Sequence, residues 1–278
     1  VYAEDYVDKL SSLIELDGRL GTYSITSLLG NGKIFTNAKP VELLSKLLSY
    51  IGSSEDYYVD FFSGSGSFAE AIMQLNHEDN KNRKFICVQL PEVIEPSKEA
   101  YKVGYRTIFE ITKDRITKSI EKLALNYPDA NVENGFKIFK TCDNFLPSSN
   151  YRELKQLTLS QSDTSPSKTG FDDAQLHDIL TTWKGLDKIL LSENLNTINL
   201  GDYIAYGFGH VLYLVNQGFN TAALKELIKK LDDEHEFQVS KLVILGHHFD
   251  SKSQREIDEA MKNYNNKKSI PVDVVVRY

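Results

Sequence analysis

Hydrophobic and polar positions first indicate a strand–turn–helix unit in the middle of the first half of the chain. Residues 57–62 form a short aromatic and β-branched run, which is typical of a buried parallel strand. Small residues at 63–67 then predict a tight turn, and apolar residues from Ala69 to Leu75 recur at helical spacing. Ser67 is the predicted cap of that helix. In open α/β sheets, nucleotide-like ligands bind where such a strand ends and its helix begins.

The same reading along the whole chain predicts an α/β protein in two parts. Further strands are expected at 83–90, 136–140, 203–208, 210–215, 242–245 and 272–276, and further helices at 40–51, 95–103, 109–125, 172–183, 222–231 and 254–264. Residues 1–20 are expected to be helical or extended, and 21–36 to form a loop. On helix 109–125 the basic residues Lys113, Arg115, Lys118 and Lys122 are expected to face solvent.

A polar, small-residue stretch at 160–170 is the predicted linker between these parts. The predicted domains are therefore 1–159 and 171–278. Parallel strands joined by helices are expected in the second part, with right-handed crossovers.

Composition limits the classes of protein that the chain can represent. Its 278 residues are 41% hydrophobic and 26% charged, and the formal net charge is −7. A stand-alone DNA-binding domain usually has a basic face, so most phosphate contacts are expected to come from elsewhere. No apolar run approaches the roughly 20 residues of a membrane span, and no signal peptide is visible. Two cysteines predict a reduced, cytoplasmic protein, and Val1 predicts a chain that begins inside a longer protein.

The glycines of the central turn leave more than one ligand open. The spacing Gly64-x-Gly66-x-x-Ala69 fits a dinucleotide-binding turn, which would make the protein an oxidoreductase. Gln89 and Glu92 follow the next strand, where side chains bind ribose hydroxyls, but an acidic residue is usual at the position of Gln89. A non-catalytic interaction module with a nucleotide-binding fold is a further alternative. The pair His247–His248 is not expected to bind metal, because adjacent side chains diverge on a strand and no third ligand lies near.

Several stretches together resemble one family. The string at 60–67, Asp-Phe-Phe-Ser-Gly-Ser-Gly-Ser, resembles the S-adenosylmethionine (SAM) motif of amino DNA methyltransferases, and the string at 35–44, Phe-Thr-Asn-Ala-Lys-Pro-Val-Glu-Leu-Leu, resembles their motif X. With 73–76, 82–86, 88–92, 104–108 and the segment from 176 onwards, the succession resembles the modification (Mod) subunit of type III restriction–modification systems. That family consists of β-class adenine-N6 DNA methyltransferases.

The resemblance implies a partial, Rossmann-like SAM-dependent methyltransferase sheet followed by a small C-terminal α/β subdomain. It implies SAM as the cofactor, and DNA, a second Mod subunit and a restriction subunit as partners of the intact protein. The implied cofactor-binding residues are Thr36, Asn37, Lys39, Asp60, Phe62, Gly64, Ser65, Gly66, Gln89 and Glu92. Thr36, Asn37 and Lys39 would line the methionine side, and Gln89 or Glu92 would bind the ribose.

One family motif is missing from these 278 residues. The Asp-Pro-Pro-Tyr tetrapeptide, which would hold the flipped adenine, does not occur. The chain therefore resembles the C-terminal part of such an enzyme, contains no catalytic residue of its own, and is expected to be inactive alone, with weak SAM affinity at best. Without neighbouring strands the 57–62 strand would be an unpaired apolar edge, so we expect another copy or a substitute element to cover it.

Overall fold

The computed structural model describes residues 10–51, 53, 55–128, 132, 135–144, 170–266 and 271–278. The chain divides into two compact units, Val1–Lys137 and Ile138–Tyr278. Each unit contains both helices and sheet, which confirms the predicted α/β class. Residues 160–169 of the predicted linker lie outside the described residues, so the predicted domain bounds stay a prediction. None of the helices in the described ranges is long and apolar enough to cross a lipid bilayer.

The first unit is a two-stranded parallel sheet packed against helices. Its elements are α1 (Leu20–Leu29), α2 (Val41–Ser49), β1 (Tyr57–Asp60), α3 (Ser67–Asp79), β2 (Lys84–Cys87), α4 (Glu99–Lys102) and α5 (Ile108–Asn126). Helix α3 connects β1 to β2, which pair in register from Tyr57 opposite Lys84 to Asp60 opposite Cys87. Tyr58 packs with Ile72 of α3 and Leu48 of α2 in one core cluster. The predicted strand–turn–helix unit is thus confirmed.

The predicted loop at 21–36 is wrong over its first nine residues, because helix α1 occupies Leu20–Leu29. Ile25 of this helix is fully buried, although the segment shows only a weak apolar stripe. Gly21 lies in the helix and allows a close approach of another backbone segment. A Cβ there would lie 1.8 Å from the carbonyl oxygen of Ala38. Only a glycine allows the two backbone segments to approach so closely.

Two further predictions are wrong. No strand forms among residues 136–140, where only Phe136 packs against the core, beside Met73 and Leu123. Alternating polarity alone does not make a strand when the described chain offers no partner for its backbone. Ser67 is not the cap of helix α3 but its first residue, with Gly66 at the cap position, and the Ser67 hydroxyl accepts a hydrogen bond from Arg115.

The free edge of β1 is not covered by any described element of this chain. In the described part of the first unit β1 pairs with β2 alone. Val59 is 44% exposed, and Tyr57 and Phe61 are exposed as well. The expectation that a substitute element covers this edge is therefore wrong for the described residues, and cover by another copy stays a prediction.

The second unit is a five-stranded sheet with helices on both faces. Its elements are α6 (Asp173–Leu186), β3 (Asn196–Leu200), β4 (Tyr203–Phe208), β5 (Val211–Leu214), α7 (Thr221–Asp233), β6 (Lys241–Leu245), α8 (Ser251–Asn265) and β7 (Asp273–Arg277). The strands lie in sequence order; β3, β4 and β5 are antiparallel, and β5, β6 and β7 are parallel. Strand β3 was not predicted, because its polar sequence shows no apolar run. The predicted hairpin and the parallel crossover strands are confirmed.

Helices cover the two faces of this sheet with separate apolar clusters. Leu227 of α7 and Ile257 of α8 pack with Ile244 on one face. Trp183 of α6 packs with Tyr213 and Val243 on the other. The second unit therefore has its own hydrophobic core.

Candidate functional site

The glycine turn, residues 63–67, begins where β1 ends. Asp60 Oδ1 accepts the Phe62 amide at 3.0 Å, and Ser63 O accepts the Gly66 amide at 2.7 Å. Both glycines have left-handed backbone angles, with φ of 51° at Gly64 and 81° at Gly66. A residue with a Cβ is strained in that region, so the glycines are required by the conformation of the turn itself.

The space beside each glycine is filled by protein atoms. A Cβ on Gly64 would lie 3.2 Å from the ring of Phe35, and one on Gly66 would lie 3.2 Å from the carbonyl oxygen of Thr112. Both contacts are tight. The glycines thus allow the protein to pack closely around the turn, in addition to leaving its backbone accessible at half-buried Gly64.

The Phe35 ring beside Gly64 brings the motif X stretch, residues 35–44, next to the SAM motif stretch, residues 60–67. Phe35 precedes Thr36, Asn37 and Lys39, which are all exposed. Asn37 has a positive φ of 62°, which asparagine tolerates better than most residues. Two stretches that are separated in sequence therefore approach each other at the turn.

Gln89 reaches the turn from the end of β2. Its Oε1 accepts the Gly64 amide at 2.7 Å, and its Nε2 donates to the Leu90 carbonyl at 3.0 Å. The side chain implied for ribose binding is therefore engaged with the turn in this structure. Glu92, the second implied ribose residue, is exposed.

The remaining implied residues differ in exposure. The Phe62 ring is 86% exposed beside the turn and is free to pack against a ligand. Asp60 is half-buried and holds the Phe62 amide. Ser65 and Gly66 are buried. The Ser65 hydroxyl lies 3.1 Å from that of Ser67, inside the protein, so its side chain faces away from the exposed side of the turn.

Behind the turn lies a buried ionic network that the sequence did not reveal. Arg115 of α5 was predicted to face solvent, which is wrong: its side chain is fully buried. Its Nε donates to Glu70 Oε2 at 2.7 Å, and its Nη1 donates to the hydroxyls of Ser65 at 2.8 Å and Ser67 at 2.7 Å. Its Nη2 donates to Ser24 Oγ of α1 at 2.8 Å. A signal did exist, because Arg115 follows buried Ile111 by four residues and so lies on the inward face.

Helix α5 also covers the N-terminus of α3. Thr112 Oγ1 donates to the Gly64 carbonyl at 2.6 Å, and Thr112 and Ile116 both approach Gly66. A pyrophosphate on a dinucleotide-binding turn needs the N–H groups at this helix end. Here Gly66 and Ser67 are buried under α5, which disfavours that mode of binding.

The described residues show no group of three or more side chains that could hold a metal ion. His247 and His248 lie in a short 3₁₀ helix, Gly246–His248, not on a strand. His248 Nδ1 is bound to the Val215 carbonyl at 2.6 Å.

Comparison with known proteins finds a matching family model and several similar proteins. The family model for the type III restriction–modification EcoP15I C-terminal domain matches residues 174–270. The EcoP15I Mod subunit of Escherichia coli is 38% identical over the whole chain, and the EcoPI Mod subunit of Escherichia phage P1 is 42% identical over 92% of it. The chain is a relative of the type III Mod subunits. This confirms the resemblance that the motifs indicated.

The type II methyltransferase M.KpnI of Klebsiella pneumoniae is 32% identical over a further, shorter match covering 39% of the chain. The chain spans 41% of the length of the EcoP15I Mod subunit and 38% of the EcoPI Mod subunit. The family model that matches residues 174–270 describes a C-terminal domain.

Proposed function

We propose that the first unit is the SAM-binding part of a type III Mod subunit that methylates adenine N6 in DNA. The observation that carries this proposal is the meeting of three separate stretches at Gly64. The Phe35 ring of the motif X stretch lies beside it, Gln89 binds its amide from the end of β2, and the glycine turn supplies the residue itself. A SAM site in this family would need all three stretches side by side.

The residues present fit SAM by their chemistry. Phe62 offers an exposed ring for the adenine or the methionine chain. Exposed Glu92 offers a carboxylate for the ribose hydroxyls, and exposed Lys39 offers a cation for the methionine carboxylate. Arg115, which binds Ser65 and Ser67 of the turn, is paired with Glu70 and buried, so it presents no free positive charge to attract phosphates. SAM carries no phosphate, and it supplies the methyl group when bound.

The dinucleotide alternative fits less well. Its pyrophosphate would need the N–H groups at the start of α3, and α5 lies over that end. A SAM ligand makes no such demand. One observation supports the non-catalytic alternative. The Gly64 amide already binds Gln89, so it is not available to a ligand.

This chain alone is proposed to transfer no methyl group. It lacks the Asp-Pro-Pro-Tyr motif that would hold a flipped adenine, and flipping is needed for chemistry on a base in a duplex. In the intact protein, residues outside this chain would supply that motif. DNA, a second Mod subunit and a restriction subunit are the proposed partners of the intact protein.

Titration calorimetry with SAM and with NAD on the 278-residue chain tests the cofactor. We expect a dissociation constant of about 0.1–1 mM for SAM, because only one side of the pocket is present, and no heat from NAD at the same concentrations. Tighter binding of NAD than of SAM would overturn the proposal, as would no SAM binding at all. Incubation with tritiated SAM and duplex DNA should leave the DNA unlabelled.

A further inference from the structure

We propose that Arg115 is a positioning residue that fixes the glycine turn in its ligand-binding conformation. The inference rests on the proposed SAM site but concerns a residue that does not touch the ligand. Four hydrogen bonds support it: Nε donates once to Glu70, Nη1 donates to Ser65 and to Ser67, and Nη2 donates once to Ser24.

These contacts join the turn to three helices. Ser65 and Ser67 belong to the turn, Glu70 to α3, Ser24 to α1 and Arg115 to α5. The guanidinium is planar and its donors have fixed directions, so the partners are held in one arrangement. Thr112, one helical turn earlier on α5, adds its bond to the Gly64 carbonyl. One face of α5 thus acts as a template for the turn.

The electrostatics of the cluster argue against a purely stabilising role. A cation buried beside the N-terminus of α3 faces the positive end of the helix dipole, which is unfavourable, and Glu70 offsets this. Buried ion pairs are often replaceable by apolar residues at no cost in stability. An apolar pair would not, however, hold the hydroxyls of Ser65 and Ser67. The network therefore serves to hold the turn in one conformation.

The test compares two double variants of the full 278-residue chain. In Arg115→Met/Glu70→Leu both charges are replaced together, so no unpaired charge remains buried. Arg83→Met/Asp79→Leu is the matched control, because the Arg83 pair joins the other end of α3 and does not touch the turn. Arg115→Lys is the conservative variant, which keeps the charge but loses the fork of donors.

Three quantities are measured for each variant: the urea midpoint, the SAM dissociation constant and the hydrogen–deuterium exchange of amides 63–67. We expect Arg115→Met/Glu70→Leu to weaken SAM binding and to speed exchange by about tenfold each, as loss of charge-assisted hydrogen bonds predicts. The Arg83 variant should leave both within about twofold, since distant sites act independently. Arg115→Lys should fall between them.

Equal changes in both double variants, or no change in either, would overturn the inference. If the Arg115 double variant fails to fold, Ser65→Ala/Ser67→Ala removes the same turn contacts and leaves the ion pair intact. Unchanged amide exchange and unchanged SAM affinity in this variant would also overturn the inference. If the wild-type chain binds no SAM, the proposed function fails, and the exchange measurement alone then decides the role of Arg115.

Discussion

Gly64 donates its backbone amide to Oε1 of Gln89 at 2.7 Å, so the end of β2 closes onto the turn that ends β1. This bond can affect ligand binding in two opposite ways. Either Gln89 holds the turn ready for a ligand, or it occupies the amide that a ligand would use. The Nε2 bond to Leu90 shows that the side chain is fixed at both ends of its amide group.

We predict that Gln89→Ala weakens SAM binding by about three- to tenfold, because the Gly64 amide loses its acceptor. Gln89→Glu should also weaken it, because a carboxylate still accepts the Gly64 amide but cannot donate to the Leu90 carbonyl, which Nε2 binds at 3.0 Å. Calorimetry on both variants measures the two shifts. Tighter binding by Gln89→Ala would mean that Gln89 blocks the turn, in favour of the non-catalytic alternative.

Gly66 combines a strained backbone angle with crowding, and the two effects can be separated. Gly66→Ala should destabilise the first unit by about 2–4 kcal/mol, since left-handed φ costs about 1–2 and the Cβ crowds Thr112 in addition. Gly30→Ala is the matched control, with the same φ of 81° in the same unit and open space around it. Urea unfolding followed by far-UV circular dichroism gives both values. Equal losses would show that crowding by Thr112 contributes nothing.

The sequence predicted the parts of the fold that follow from local pattern. The β1–turn–α3 unit, α5, α6 and the parallel strands of the second unit all carry clear periodicity or turn residues. Strand β3 and helix α1 were missed because their stability comes from neighbours. Ile25 is buried in a cluster that includes Ile94 and Ile111, far along the chain, and Gly21 is explained only by the approach of Ala38.

In the candidate site, too, some features were predictable from local sequence and others depend on distant residues. The glycine turn and the position of Gln89 follow from motifs and spacing, whereas the role of Arg115 does not. Its four partners lie 45 to 91 residues away, so no local window contains them. A basic residue on a helix is usually solvated, and only its spacing from Ile111 indicated an inward position.

The two cysteines should differ sharply in reactivity. Burial raises the pKa of the Cys87 thiol to about 11, whereas Cys142 is exposed. At pH 8 only about one thousandth of Cys87 is then thiolate, the reactive form. Ellman's reagent should therefore modify one thiol per native chain quickly and the second only in urea. Cys142→Ser should abolish the fast phase; a fast phase that persists in this variant would contradict the burial of Cys87.

A free β1 edge should make the chain self-associate. An exposed strand edge with apolar side chains is a template for pairing with another chain. We expect the weight-average mass in sedimentation to rise with concentration, and Val59→Lys, which places a charge on exposed β1, to suppress the rise. Leu125→Lys is the control, because Leu125 is an exposed apolar residue on α5 and not part of the sheet. Equal suppression by both variants would place the association elsewhere.

In the second unit, one buried carboxylate holds three partners. Asp187 follows α6, and its side chain is 1% exposed. It accepts hydrogen bonds from Lys241 Nζ at 2.7 Å, Tyr213 Oη at 2.8 Å and both terminal nitrogens of Arg277 at 2.6 and 2.9 Å. Arg277 also lies over the ring of Trp183, the only tryptophan of the chain. Trp183 fluorescence therefore reports on this cluster.

Asp187 should make the second unit sensitive to acid. Burial raises the pKa of the Asp187 carboxyl, but hydrogen bonds from Arg277, Lys241 and Tyr213 outweigh that effect and lower it from 3.8 to about 2. Because the pKa is lower in the folded state, its contribution is complete above the unfolded pKa of 3.8 and is lost as pH falls through about 2. By linkage that contribution is about 2 kcal/mol.

Asp187→Asn should therefore destabilise the second unit at pH 6 by about 3 kcal/mol, because it leaves Arg277 and Lys241 unpaired. The loss of stability should shrink between pH 4 and pH 2. Urea unfolding followed by Trp183 fluorescence measures the deficit at each pH. Asp258→Asn, which removes the exposed pair with Lys262, is the control and should leave stability nearly unchanged. A deficit for Asp187→Asn that stays constant from pH 6 to pH 2 would contradict the lowered pKa.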